Sequence, residues 1–173
     1  AARGQVITNS KFAAADGGFR VTTGPAAVYW NPTNVATGSY TVSATFHEPE
    51  YMKLNDHPHP YGIVIGGAEI GTDQQRYLYC AAYGNGTFIV RGFGPEPFQL
   101  NGRRGEPNDA VAKAAGAGQP VTQAVAVTVD DQAVSCTING TVVGSYPRSD
   151  VIGEGKLAST DGIFGCHNTF SGQ

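Results

Sequence analysis

A chain of 173 residues, 40% of them hydrophobic, is long enough to bury a core of its own without metals or a dense disulfide framework. Only 14% of the residues are charged and the net charge is −3, so the basic footprint that nucleic acid or an anionic membrane requires is missing. No run of about 18 apolar residues occurs, which excludes a membrane-spanning helix, and the 24 Gly and 10 Pro are dispersed as turn residues rather than gathered in one low-complexity block.

The chain opens on AARGQ, the kind of end that signal-peptidase cleavage at small residues leaves, as does trimming by other means; export is the expectation. Residues 1–17 read as an N-terminal arm to a single β-sandwich domain over 1–173. Strand patterns follow in GFRVTT and AVYW, and then in YTVSATF, where Tyr40, Val42, Ala44 and Phe46 share one face and Thr41, Ser43 and Thr45 the other. GIVIG is a fourth candidate. QRYLYCAAY and TFIVRGF flank Asn85-Gly86, a hairpin signal. The stretch NDAVAKAA, with Asn108 as N-cap and Gly116 as stop, is the one predicted helix. AVAVTV and AVSCTI alternate on either side of a turn at Asp130-Asp131-Gln132. Asn139-Gly140 then leads into TVVGSY, and GIFGCH closes the series. About ten short strands at this spacing predict an all-β antiparallel sandwich or jelly roll with at most one short helix.

The 3 cysteines leave at least one unpaired, and none forms a CxxC motif, which removes zinc-knuckle and thioredoxin-type chemistry. A Cys136–Cys166 bridge would join two late strands, and Cys80, inside YLYCAAY, reads as a small buried hydrophobe. The pairing stays open at this point.

Several ordered phrases, TTGPAAVYWNPTNVATGSYTVSATF, HPHPYGIVIGG, QQRYLYCAAYGNGTFIVR, VSCTINGTVV and YPRSDV, resemble secreted bacterial domains of the concanavalin A-like lectin/glucanase superfamily. Those domains are related to the jelly-roll module of uncharacterised glycoside-hydrolase-like proteins. The resemblance runs from about Gly18 to Asn168 and implies the fold more than a reaction. Its His-Pro-x-x-Tyr-Gly phrase is matched by His57, Pro58, Tyr61 and Gly62, and its His-Asn phrase by His167 and Asn168. His59 stands where a variable residue is expected, and the 3 cysteines stand at positions expected to be apolar.

In HPHP each Pro fixes its own φ and extends the residue before it, so His57 and His59 lie in a stiff run. With His47, Glu48, Glu50 and Asp56 nearby in sequence, a copper or zinc site is one reading. A rigid rim whose imidazoles bond backbone or ligand is the other, and it is preferred because no second ligand motif follows. His167-Asn168 reads either as part of a binding cluster or as a strand-end cap. Glycosidases need two opposed carboxyl groups; the nearest match, Glu48 and Glu50, is interrupted by Pro49, which a central strand does not accommodate.

Tyr77, Tyr79 and Tyr83 fall on one face of their strand and Leu78, Cys80 and Ala82 on the other. The second set suits a core. The first, with Arg76 and Arg91 nearby, is either an exposed aromatic platform for sugar rings or a layer buried beneath a loop. Trp30 either plugs the core or lines a cleft. The reading is an extracellular, secreted or cell-surface, non-catalytic sandwich that binds carbohydrate or a similar ligand. Its cleft is formed by Trp30, Tyr77, Tyr79 and Arg91, edged by His57, His59 and Tyr61 and joined by His167 and Asn168. No catalytic residue, metal or cofactor is assigned, and neither nucleic acid nor a membrane span is expected. Two alternatives are a self-associating subunit of a surface layer or filament, with exposed strand edges pairing between copies, and a glycan hydrolase or metal-dependent enzyme using the His57/His59 loop.

Overall fold

Period-two alternation runs through most of the chain, and the backbone follows it. The computed structural model describes residues 10–15, 17–22, 26–53 and 58–168. Among these, β1 (Lys11–Ala15) and β2 (Gly18–Thr22) are followed by β3 (Ala27–Ala36), β4 (Tyr40–Glu48), β5 (Tyr61–Ala68), β6 (Arg76–Ala82) and β7 (Thr87–Phe93). Two short strands, β8 (Pro97–Gln99) and β9 (Glu106–Pro107), precede β10 (Val121–Val129), β11 (Ala133–Ile138) and β12 (Thr141–Pro147). One helical turn, α1 (Arg148–Val151), comes before β13 (Gly162–Asn168).

Two antiparallel sheets stack face to face, as the alternation predicts. The smaller runs β12-β11-β10-β4; the larger runs β3-β13-β5-β6-β7-β8 with β9 beside β7, while β1 and β2 pair with each other. The smaller sheet turns Tyr40, Val42, Ala44 and Phe46 of β4, and Val125, Val127 and Val129 of β10, toward the larger. Ile63, Ile65, Leu78, Cys80, Ala82 and Val90 answer from the larger sheet. Ile65 and Ile138 are 0% exposed and Leu78 is 1% exposed; each such side chain contributes roughly 1.5–3 kcal/mol of burial free energy.

The turns form as their residues dictate. Asn139 and Gly140 both adopt positive φ, 49° and 84°, the type I′ geometry that joins β11 to β12. Asp130 Oδ1 accepts hydrogen bonds from the backbone N–H groups of Gln132 and Ala133, both at 2.8 Å, closing the turn between β10 and β11. At Asn85-Gly86 only the glycine is left-handed, at φ 87°, and Asn85 Oδ1 instead accepts from the Thr87 N–H at 3.2 Å.

One expectation is corrected, and the pairing that the sequence left open is decided. Residues 108–115 are not helical, because neighbouring groups claim their backbone. Asn108 Oδ1 accepts from Ala110 N–H, Gln123 binds both polar groups of Ala112, and Ala114 N–H donates to the Gly84 carbonyl. Cys136 pairs with Cys80, not Cys166, across the sandwich from β11 to β6, with the two Cα atoms 6.0 Å apart. The stacking of the two sheets, which strand pattern alone does not specify, decides that pairing. Cys166 stays a thiol, held above its ordinary pKa by burial.

Candidate functional site

The outer face of the larger sheet carries most of the residues expected to bind. Strand register aligns Trp30, Gly165, Val64, Tyr79, Arg91 and Gln99 across β3, β13, β5, β6, β7 and β8. Val28, His167, Gly62, Ala81 and Ile89 form the adjoining row, and Tyr77 pairs with Phe93 on the other side. Gly165 has no room for a side chain, since a Cβ there would lie 2.3 Å from the Tyr29 carbonyl oxygen. Gln99 is a member of this face that sequence reasoning missed, because β8 is too short to show a period.

The tyrosines do not form an exposed platform. Tyr77 is 5% and Tyr79 3% exposed, packed with Val64, Ala81 and Ile89 in a second, smaller core flanked by Val28, Tyr83 and Phe93. Their strand is interior to the sheet and buried on both faces, so facing away from the main core does not bring them to water. Burial raises the Tyr77 hydroxyl to about 12 and pushes Tyr79 upward as well, with the positive charge of Arg91 acting in the opposite direction on both.

Polar groups lie inside this second core without full partners. His167, 4% exposed, stacks on Tyr79 with ring centroids 4.0 Å apart. Among the described residues neither of its ring nitrogens has a hydrogen-bond partner, and the same holds for the buried Arg91 Nε and Gln99 Nε2 atoms. Burial, then the Arg91 charge, lowers the His167 pKa to about 3, so the ring is neutral at pH 7. Arg91 itself is half-buried, its guanidinium 5.3 Å from the centre of the Phe93 ring. Trp30, on the edge strand β3, is 41% exposed and is the reachable ring of the set.

The remaining expected residues lie elsewhere, so a single cleft holding all of them is not assembled. Tyr61 faces inward at one end of the sandwich, against Phe46 with ring centroids 5.7 Å apart. Its hydroxyl lies close to Glu48 and Gln123, but neither Tyr61 Oη nor Glu48 Oε2 completes a hydrogen bond of good geometry. Burial and the neighbouring Glu48 charge raise its pKa. Asn168 pairs in register with Tyr61, whereas His167 pairs with Gly62, so adjacent residues of β13 address opposite faces. His59 is half-buried and engaged with neighbours; His57 lies outside the described residues. Arg76 turns away to donate to the Lys156 carbonyl.

Other chemistries find less support in the geometry. Glu48 points into the sandwich end, where burial raises its pKa, while Glu50 sits at the surface paired with Lys53 Nζ at 2.5 Å, so the two carboxyl groups do not oppose each other. Among the described residues no three His, Cys, Asp or Glu side chains gather as a metal cage. His47 is occupied by a 2.8 Å hydrogen bond to Thr122 Oγ1. A shallow depression on the outer face of the smaller sheet is lined by Ser43, Thr45, Ala124, Ala126, Thr137 and Gly140, with neither a ring nor a charge among them. No helix among the described residues is long and apolar enough to cross a membrane.

No protein-family model matches the chain, and no curated protein matches it by sequence. Solved structures do match in shape. A carbohydrate-binding module, CBM66 from Bacillus subtilis, superposes with a TM-score of 0.61 at 8% identity, covering 92% of this chain and 83% of that one. Sheep galectin-11, solved in complex with glycerol, gives 0.50 at 9% identity, covering 84% of this chain and 92% of that one. At such identities the likeness is one of fold, and the chain has the lectin-like β-sandwich architecture.

Proposed function

We propose that this sandwich is an extracellular, non-catalytic domain of the concanavalin A-like type that binds carbohydrate through the outer face of its larger sheet. The observation that carries the reading is the set of unpartnered polar atoms on Arg91, Gln99 and His167 beneath that face. A buried donor without an acceptor costs about 1–3 kcal/mol, and the oxygens of a sugar are acceptors that relieve it. Arg91 and Gln99 are the half-buried groups through which a ligand engages; Tyr79, in register with Arg91, carries the stacked ring of His167, and Trp30 offers a flat ring at the edge. The shape shared with a carbohydrate-binding module supports the same reading, and the Cys80–Cys136 link supports an oxidising, exported setting. On a glycan array the protein is expected to retain a subset of glycans, with Arg91→Gln losing at least about tenfold in affinity. Absence of binding to every glycan class overturns the proposal.

A second reading, self-association, is favoured by a different observation. β1 and β2 form a ribbon outside both sheets with Phe19 69% and Phe12 48% exposed, stacked ring on ring toward Tyr29. β3 is an edge strand without a charged residue and with Val35 52% exposed. Light scattering across a concentration series tests it: a strict monomer at high concentration removes it.

A further inference from the structure

The second core is lopsided in its chemistry. Every outer-face position that register brings around Arg91, namely Tyr77, Tyr79, Ala81, Ile89, Phe93, Pro97 and Gln99, lacks a carboxylate. No described Asp or Glu forms an ion pair with Arg91. The unpartnered atoms beside it are a guanidinium Nε and an amide Nε2, both donors, and the two nitrogens of an imidazole that is 4% exposed. A half-buried cation with surplus donors and, among the described residues, no counter-charge is complementary to an anion, and a planar fork is matched best by a carboxylate.

Resting on the carbohydrate reading, we infer that the ligand is an acidic glycan, with the uronate carboxylate of a sugar residue taken by Arg91 and Gln99 on the outer face of the larger sheet. The carboxylate oxygens accept from the guanidinium and from the Gln99 amide, and the sugar hydroxyls lie toward His167, which accepts on one ring nitrogen and donates from the other when neutral. The ring of Phe93 beneath the guanidinium limits where Arg91 can swing, which holds the fork in place. Because this ion pair lies partly out of water, its strength falls with salt only partly, unlike that of an exposed pair.

The test is calorimetric titration of the whole chain at pH 7 with trigalacturonate, its neutral counterpart galactotriose, and polyglutamate matched in charge. Trigalacturonate is expected to bind at least about tenfold more tightly than either of the others, with Arg91→Gln abolishing the preference and Gln99→Leu weakening it several-fold. Where Arg91→Gln does not fold, Arg91→Lys retains the charge without the fork and is expected to lose most of the preference. Equal affinity for galactotriose overturns the acidic assignment and leaves the carbohydrate reading standing. Binding of neutral glycans alone does the same, whereas no binding of any saccharide overturns both. Polyglutamate binding as tightly as trigalacturonate overturns the assignment to a sugar.

Discussion

The two buried regions of this protein differ in kind. The space between the sheets is apolar at its centre and pinned by the Cys80–Cys136 link, with Ile65, Ile138 and Leu157 each 0% exposed, and its unpartnered Tyr61 Oη and Glu48 Oε2 atoms are confined to one end. The layer outside the larger sheet is equally hidden at Tyr79 and Val64, yet it contains an imidazole, a guanidinium nitrogen and an amide nitrogen without partners. Close packing with satisfied polar groups is what stability selects; polar groups left wanting inside a packed layer lower stability and mark where function is sought.

The largest contrast comes from truncating the inner region. Leu78→Ala removes a side chain 1% exposed from the centre of the sandwich and is expected to lower the unfolding free energy by about 3 kcal/mol, read from urea melts. A loss below about 1 kcal/mol would mean that the sheets are not closely packed there.

In the outer layer the sign reverses. His167→Phe keeps a ring stacked on Tyr79 and deletes two unsatisfied nitrogens, so at pH 7 it is expected to be neutral or to stabilise by about 1 kcal/mol. Its pH dependence sharpens the point. The folded imidazole titrates at about 3, held down by burial and by Arg91, while in the unfolded chain it takes up a proton near its ordinary pKa of 6.5. Below about pH 6.5 the unfolded state therefore binds the extra proton, and the wild type loses stability at up to about 1.4 kcal/mol per pH unit down to about pH 3. The difference between wild type and His167→Phe isolates this slope from the carboxylates that titrate in the same window; identical slopes would place His167 in contact with water.

The smallest effect is expected at the edge. Trp30→Ala removes a ring that is 41% exposed and should change stability by only about 1 kcal/mol while reducing glycan affinity, so a large loss of melting temperature would assign Trp30 to packing instead.

What could be read from the chain divides along similar lines. Alternation in YTVSATF and AVAVTV identified β4 and β10 and their inward faces, because a half-exposed sheet writes its orientation into every second residue. The same parity placed Leu78, Cys80 and Ala82 in the core and Tyr77 and Tyr79 opposite. Parity says which way a ring points, not what lies above it, so the burial of those tyrosines was not readable. The Cys80–Cys136 pairing depends on how one sheet sits over the other, a relation between residues 56 apart that no local pattern records. The non-helical 108–115 segment was misleading for a similar reason: its alanines favour a helix locally, but Gln123 and Asn139, distant in sequence, bind its backbone. His167 and Asn168 read as one phrase, yet a strand sends neighbours to opposite sides.

Because the chain holds 1 Trp, and that residue sits on the rim of the outer face rather than in the main core, the molecule carries its own optical reporter. Its emission starts from a partly wetted indole, so a saccharide ring settling against it should move the spectrum to shorter wavelength. Loss of the folded state changes the indole's surroundings less than it would for a core tryptophan. Fluorescence from this protein is therefore suited to following occupancy of the proposed glycan surface, and melting is better followed through its tyrosines.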